Sequence, residues 1–492
     1  MQAIYKHKSY INFPMLLRVI GWLLLTEAGM MIIPAAFGIY YREHNTIPFL
    51  MAVGITGGVG LMLMSLRPTS REMGRREAIL LTSLTWIILS LFGMLPFLMC
   101  GTHLSITDAF FETMSGFTTT GATVLNSFEG ISHSILIWRC LLQWVGGLGI
   151  LLFTIAIVPM LNYQGGMQLF NAEVTGLTHD KIRPRIGSTS KDLWLVYIIF
   201  TVLAIVLLSF SKMGVFNAIC YGMSTISTGG FASHDFSLDE WDSLYIKCII
   251  TFFMFVGSVN FTLVFRGATG QIKAIWKNEI LRIFVVVIFV CYVLLTLNVI
   301  ISEHASEWQD YTIDPLFQAV SLLSSTGLTE ADFFDWGPIA FVLLIFMMGM
   351  GGCAGSTSGG AKLDRIVVLY KFLKNEFYRL MHPNAIKTVS INGKGTPVPL
   401  LQKTLAFLFL YLLVIFIGGI ILSIIGMPLE DSFFCSLSAV SNTGVGTDIT
   451  GLNGNYALVS DTAKWTLTAL MLIGRLELFT VLILFTRGFW KK

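Results

Sequence analysis

Ten stretches of this chain are apolar over about 20 residues or more, the length that crosses the hydrocarbon core of a bilayer. They lie near residues 16–40, 47–66, 79–100, 135–160, 193–211, 243–265, 281–301, 338–371, 404–426 and 463–486. In hydrocarbon the backbone must satisfy its own N–H and C=O groups, and runs of this length do so as helices. The chain therefore reads as an all-α polytopic membrane protein with the lipid bilayer as its solvent. Composition agrees. Of 492 residues, 54% are hydrophobic and 12% charged, about half the charged share of a soluble domain. A soluble enzyme, a nucleic-acid binder and a disordered scaffold are excluded, so no nucleic acid is expected as a partner. The cysteines (Cys100, Cys140, Cys220, Cys248, Cys291, Cys353 and Cys435) stand singly without a CxxC pair and read as small hydrophobes.

Lys and Arg set the orientation of such a chain. The net charge of +3 is small, but its placement is uneven. Arg67, Arg71, Arg75 and Arg76 share one loop, and Lys181, Arg183, Arg185 and Lys191 another. Arg266, Lys273, Lys277 and Arg282, the segment Lys371 to Lys403, and Arg487, Lys491 and Lys492 lie on the same face. That face is expected to be cytoplasmic, with both termini on it. The opposite loops hold most of the acids, among them Asp235, Asp239, Glu240, Asp242, Glu303, Glu307 and Asp310. These either solubilise the loops or concentrate cations at an outer mouth.

A repeat runs through the spans. Four Thr-Gly pairs, Thr120-Gly121, Thr228-Gly229, Thr326-Gly327 and Thr443-Gly444, each follow a semi-apolar stretch too short to cross. Aligning them superimposes Asp108, Asp314 and Asp431, then Phe111, Phe317 and Phe434, then Ser115, Ser321 and Ser438. The second copy departs at all three positions, with Phe216, Ile219 and Met223. Each unit reads as spanning helix, re-entrant half-helix, polar loop and spanning helix. Non-helical backbone at membrane depth survives only when buried in protein or lining a watery path. Four such loops around a pseudo-fourfold axis would form a ring of carbonyls able to replace an alkali cation's hydration shell.

The candidate filter residues are Thr119, Thr120, Gly121 and Ala122; Ser227, Thr228, Gly229 and Gly230; Ser325, Thr326, Gly327 and Leu328; and Asn442, Thr443, Gly444 and Val445. None is acidic, so backbone carbonyls would hold the ion, which favours a monovalent cation. The expected units are residues 1–76, two extra N-terminal helices; 77–165, 166–275 and 276–395, repeats one to three; and 396–492, repeat four. No organic cofactor is expected. The pore loops lack paired carboxylates and the histidines show no metal spacing, so no enzyme is expected either.

The eighth span is over-long and interrupted. Gly351, Gly352, Gly355, Ser356, Thr357, Ser358, Gly359, Gly360 and Lys362 lie in a stretch too rich in glycine for a regular helix. It loosely resembles a phosphate-binding loop, but with the wrong spacing and no preceding βαβ strand. Close helix packing through small residues is one reading. A flexible loop that closes the pore beneath the filter is the preferred one. Arg475 stands inside the last span, where a buried arginine is costly. It either finds Glu477 or the interface, or lines the pore as a barrier to cations. Arg139 and Lys247, nearer the outer ends of their spans, are expected to reach the interface or loop acids. The stretch Trp144-Val145-Gly146-Gly147-Leu148-Gly149 reads as tight helix packing.

Together, Thr119-Thr120-Gly121-Ala122, Ser441-Asn442-Thr443-Gly444-Val445-Gly446, the Gly351–Lys362 loop and Gly474-Arg475-Leu476-Glu477 resemble the Trk/Ktr/HKT superfamily of potassium transporters, specifically its TrkH branch. The resemblance implies four membrane-pore-membrane repeats plus two N-terminal helices. It implies uptake of K⁺, with Rb⁺ and sometimes Na⁺ accepted, through backbone carbonyls at Gly121, Gly229, Gly327 and Gly444. Gly121, where some plant relatives carry serine and prefer Na⁺, points to K⁺. The Gly351–Lys362 loop and Arg475 match the family's gate. A homodimer, a cytoplasmic TrkA-like nucleotide-binding ring and the bacterial cytoplasmic (inner) membrane are implied as partners and location. A Na⁺-permeable or weakly selective channel, or an ion-coupled K⁺ symporter, stand as alternatives on the same architecture.

Overall fold

The computed structural model describes residues 11–67, 73–149, 186–234, 238, 241, 243–301, 308–329, 336–447, 450 and 455–491. The far end of the expected span 135–160, the basic residues Arg71, Lys181, Arg183, Arg185 and Lys492, and the acids Asp235, Asp239, Glu240, Asp242, Glu303 and Glu307 lie outside the described residues.

The N-terminal pair is α1 (Phe13–Tyr40) and α2 (Thr46–Met64). Asn12 caps α1, its side chain accepting from the Met15 N–H at 3.3 Å, and Pro14 sits in the first turn, where its missing N–H is no loss. The two helices cross at glycines. A Cβ on Gly21 would lie 2.7 Å from the Gly60 carbonyl oxygen. Small residues let two backbones touch in hydrocarbon, where apolar burial alone gives helices no reason to associate.

Four units of one plan follow. The first has α3 (Arg75–Gly93), its extension α4 (Leu95–Met99), half-helix α5 (Ile106–Phe117) and α6 (His133–Leu148). The second has α7 (Ile186–Ser209), half-helix α8 (Gly214–Ser227), α9 (Leu244–Ser258), α10 (Phe261–Ala268) and the short α11 (Ile272–Lys277). The third has α12 (Glu279–Ile301), half-helix α13 (Trp308–Leu323), α14 (Pro338–Met350) and α15 (Leu363–Met381), then a hairpin of β1 (Ser390–Ile391) and β2 (Lys394–Gly395). The fourth has α16 (Val398–Ile425), half-helix α17 (Leu429–Ser441), α18 (Asp461–Arg475), α19 (Glu477–Leu482) and α20 (Arg487–Trp490). The half-helices have 12 to 16 residues, about 18–24 Å of rise, short of the roughly 30 Å of hydrocarbon.

Among the described residues, six helices are long and apolar enough to cross a membrane, or up to eight counting two bent pairs as single spans. Those bent pairs correct two spans that read as continuous in sequence. Helices α9 and α10 meet at 111° within 243–265, and α18 meets α19 at 107° within 463–486. At the first break the Asn260 side chain accepts from the Thr262 and Leu263 N–H groups and caps α10. At the second, Glu477 takes a left-handed φ of 53°.

In three units the second helix carries a glycine that faces the end of its own half-helix, Gly146, Gly257 or Gly474. A Cβ at Gly146 or Gly474 would overlap the Phe117 or Val440 carbonyl at the end of its own half-helix. The Trp144–Gly149 stretch thus packs tightly, as its glycines suggested. Six of the seven cysteines are buried, and Cys248 is exposed.

Candidate functional site

Each half-helix runs into the same backbone turn. Thr119, Thr228, Ser325 and Asn442 take φ of 52°, 51°, 52° and 53°. Two residues later Gly121, Gly230, Gly327 and Gly444 take φ of 88°, 81°, 75° and 76°. The residue between donates its N–H back into the half-helix: Thr120 to Ser115, Gly229 to Ser224, Thr326 to Ser321 and Thr443 to Ser438, all at 2.8–3.0 Å. These bonds set the register. The second repeat enters it one residue later than its Thr-Gly pair suggests. The counterpart of Gly121, Gly327 and Gly444 is Gly230, and Gly229 stands where the other repeats carry threonine. Ser224 then falls on Ser115, Ser321 and Ser438, and Asn217 on Asp108, Asp314 and Asp431. The second copy diverges less than Phe216, Ile219 and Met223 implied.

The four turns close on one another in cyclic order. A Cβ on Gly121 would overlap the Gly229 carbonyl oxygen, one on Gly230 that of Thr326, one on Gly327 that of Thr443, and one on Gly444 that of Thr120. Only glycine lets four backbones approach this closely. The four glycines line one cavity of about 20 Å³, room for a single water-sized occupant. Each half-helix points its C-terminal, partly negative end at this ring. Three repeats add a hydroxyl pair beside it: Thr118 with Thr120 at 2.8 Å, Ser324 with Thr326 at 2.6 Å and Ser441 with Thr443 at 3.0 Å. Ala122, Leu328 and Val445, just past the glycines, are buried, and the Leu328 and Val445 carbonyls accept from Ser321 and Ser438 at 2.6 and 2.8 Å.

Buried ion pairs brace the ring from behind, and only their outlines were legible in sequence. Lys247 of the second repeat reaches Asp314 of the third at 2.7 Å, and Lys464 of the fourth reaches Asp108 of the first at 2.6 Å. Two of the three repeat-aligned aspartates, Asp108 and Asp314, are thus cross-repeat anchors. Between the third and fourth repeats Phe341 stacks on Phe434 instead, with ring centroids 5.3 Å apart. Arg139 is fully buried rather than interfacial. Its Nε donates to Glu112 at 2.6 Å and a terminal nitrogen to the Ala232 carbonyl of the second repeat at 3.0 Å. Glu112 also accepts from Thr123 Oγ1 and the Val124 N–H at 3.0 and 2.9 Å.

On the other side of the ring lies the loop 351–362 between α14 and α15. It touches three of the four filter turns. Thr228 Oγ1 donates to Thr357 Oγ1 at 3.2 Å, and the Gly359 N–H donates to Ser325 Oγ at 2.6 Å. A Cβ on Gly359 would overlap the Ser441 carbonyl. The loop also docks on the broken helix of the second repeat, where Asn260 Nδ2 donates to the Ala354 carbonyl at 2.7 Å and the Phe261 N–H to that of Gly355 at 3.0 Å. Within the loop Ser356 and Ser358 hydroxyls lie 2.7 Å apart, and Lys362 Nζ donates to the Ser358 carbonyl. Gly351, Gly355 and Gly360 take left-handed φ, as does Lys362 at 73°, and a Cβ on Gly352 would overlap Ser358.

Arg475 binds this loop from the fourth repeat. It donates to the Thr357 carbonyl at 2.7 Å and to the Gly146 and Gly147 carbonyls of the first repeat at 2.5 and 2.7 Å. Its guanidinium therefore spans the axis. Glu477 is not its partner: that carboxylate takes Arg365, whose guanidinium stacks over Phe407 at 3.8 Å. Arg475, Lys362, Arg365 and Asn442 line a cavity of about 430 Å³ below the ring. Neutral oxygens thus surround the axis at the ring, and positively charged side chains sit directly beneath them.

A helical membrane protein of four half-helix units, closing on one ring of carbonyls, is by fold and site a cation transport protein. Residues 49–491 match the family model TrkH, cation transport protein, and the chain belongs to that family. It is 36% identical over 488 residues to the Trk system potassium uptake protein TrkH of Escherichia coli strain K12, covering 98% of this chain and all of the relative. It is 30% identical over 486 residues to the Trk system potassium uptake protein TrkG of the same organism, covering 96% of this chain and 97% of that one. The crystal structure of the potassium transporter TrkH from Vibrio parahaemolyticus superposes with a TM-score of 0.88 at 34% identity, covering 97% of this chain and all of that chain.

Proposed function

We propose that this protein takes up K⁺ through the axis of its four repeats, with Rb⁺ as a substitute. The observation that carries the reading is the closed cycle of glycines against carbonyls, Gly121 on Gly229, Gly230 on Thr326, Gly327 on Thr443 and Gly444 on Thr120. Such a ring offers a dehydrated alkali cation neutral oxygens from every side. With no carboxylate in the ring, it suits a monovalent ion. The half-helix C-termini add a negative potential at the same point.

The loop 351–362 and Arg475 act as the gate. In this conformation the guanidinium holds the loop against the filter's inner end and places positive charge on the exit path. Opening requires Arg475 to leave the Thr357, Gly146 and Gly147 carbonyls. The basic face, with Lys371, Lys374, Arg379 and Lys403, is cytoplasmic, as are both termini. It receives a TrkA-like nucleotide-binding ring, and two copies of the chain form a dimer in the bacterial cytoplasmic membrane. Inward flux then follows the membrane potential, worth about 2.3 kcal/mol per charge per 100 mV.

Purified protein in K⁺-loaded liposomes is expected to accumulate ⁸⁶Rb⁺ down the gradient and to discriminate against Na⁺. Flux that strictly requires a co-transported H⁺ or Na⁺ would replace the channel with a coupled carrier. Equal K⁺ and Na⁺ flux would replace it with a weakly selective pore.

A further inference from the structure

One repeat of the ring is built unlike the others. Where the first, third and fourth repeats carry Thr120, Thr326 and Thr443, the second carries Gly229, with no side chain to pack behind its carbonyl. The gap is filled from another repeat. Gln143 of α6 is fully buried, and a Cβ placed on Gly229 would overlap its carboxamide carbon. Gln143 Nε2 donates to the Gly229 carbonyl at 2.6 Å. Its Oε1 accepts from Ser224 Oγ at 3.0 Å and from the Phe231 N–H at 3.1 Å. One carboxamide therefore spans the second filter turn from its half-helix to the residue beyond Gly230. The carbonyl it binds is a member of the ring, the one packed against Gly121.

We propose that Gln143 is a positioning residue for ion selection. It holds the Gly229 carbonyl at its place in the ring, and its carboxamide fills the space that a threonine side chain fills in each of the other three repeats. This rests on the ring being the selectivity filter. The carbonyl oxygen has two lone pairs, so one remains for the ion while the other is tied to Nε2. Without that tie the carbonyl moves freely, and a ring with one loose oxygen closes more readily on the smaller Na⁺.

The pseudo-symmetry supplies a repair. Gly229 lies outside the left-handed region, so its backbone accepts threonine once Gln143 is shortened. The new hydroxyl would face Ser227, as Thr120, Thr326 and Thr443 face Thr118, Ser324 and Ser441. Ser224, released from Gln143, would be free to reach the Phe231 carbonyl, as Ser321 and Ser438 reach those of Leu328 and Val445.

The test is the K⁺ over Na⁺ permeability ratio of full-length protein in liposomes, from reversal potentials, with thermal stability measured in parallel. The variants are Gln143→Ala, Gln143→Met, the double variant Gln143→Ala with Gly229→Thr, and Gly121→Ser. Losing one hydrogen bond should lower the ratio about fivefold in Gln143→Ala. Gln143→Met keeps the packing but not the bond, carries the same expectation, and stands in if the alanine variant fails to fold. The double variant should return to within about twofold of the original ratio. An unchanged ratio in both single variants, with Gly121→Ser altered, overturns the role of Gln143 and leaves the filter standing. An unchanged ratio in Gly121→Ser as well overturns the filter reading itself. A ratio that falls in the single variants but is not repaired in the double overturns the substitution of Gln143 for a threonine.

Discussion

Four repeats contribute one carbonyl each to the ring, whereas a single segment, Gly351–Lys362, supplies the loop beneath it. The ring is held chiefly by backbone, through glycines that admit no Cβ and N–H bonds into Ser115, Ser224, Ser321 and Ser438, and is braced by buried cross-repeat side-chain pairs such as Lys247–Asp314. Backbone bonds tie the loop to the broken helix of the second repeat, from Cys353 to Ser258, Thr357 to Gly257 and Phe261 to Gly355, but its bonds to the second and third turns and to the fourth repeat run through side chains that can let go, namely Thr228, Ser325 and Arg475. A backbone cradle can only deform as a whole. A guanidinium on carbonyls can swing away by rotamer change. On the proposed reading, selection takes the fixed geometry and gating the movable one, and the two lie within one contact of each other.

This contrast can be broken most severely at the ring. Gly327→Ala sets a Cβ on the Thr443 carbonyl at a φ of 75°. Overpacking of this kind costs about 1–3 kcal/mol, so ⁸⁶Rb⁺ flux should fall at least about tenfold in protein that still elutes as folded. A fully active Gly327→Ala protein would end the claim that the ring is rigid. Next is Arg475→Ala, which removes one bond to the loop, two to the first repeat and the positive charge from the axis. Basal flux should rise about tenfold, and lower flux would make Arg475 a structural brace instead. Gly359→Ala sharpens the comparison from the loop side. Its Cβ would press on the Ser441 carbonyl and lever the loop off the filter, raising basal flux about threefold. A loop that closes unperturbed would show that Gly359 does not seal the exit.

The smallest effect lies at the opposite end of the fold, in the turn between α1 and α2. Burial pushes the Glu43 carboxyl up, but hydrogen bonds from the Ser134 side chain, the Ser134 and His133 N–H groups and the His133 ring outweigh it, leaving Glu43 below its ordinary value of 4.5. A carboxylate lowered in the folded state stabilises above its unfolded value and loses that contribution as pH falls through the folded one. Melting temperature should therefore decline slightly below about pH 4.5, and Glu43→Gln should flatten that decline. An identical acid decline in the variant would mean that other carboxylates carry it.

Much of this was legible in the residues themselves. The apolar runs gave away the membrane, and the Thr-Gly pairs pointed to the ring because four of them recur after stretches too short to cross. The register of the second repeat was not legible. Thr228-Gly229 copies the motif, but Gly229 is held by its N–H bond to Ser224, and that bond appears only when the half-helix is built. Gln143 carried no signal, since a single glutamine in an apolar run looks like any helix-packing polar residue. Arg139 and Arg475 were visible as costly charges, yet their partners, Glu112 of α5 and the Ala232 carbonyl for the one and the Thr357, Gly146 and Gly147 carbonyls for the other, are remote in sequence.

By itself, then, the sequence determined the solvent, the helical class and the four segments where the backbone leaves the helix at membrane depth. Those follow from local chemistry: run length, glycine content and the placement of charge. Only the tertiary structure decided which carbonyl meets which glycine, that the chain bends sharply after α9 and after α18, and that Arg475 meets the loop while Glu477 takes Arg365. Each of these depends on groups from different repeats arriving at the same place. A contact of that kind has no period or spacing along the chain by which it could be read.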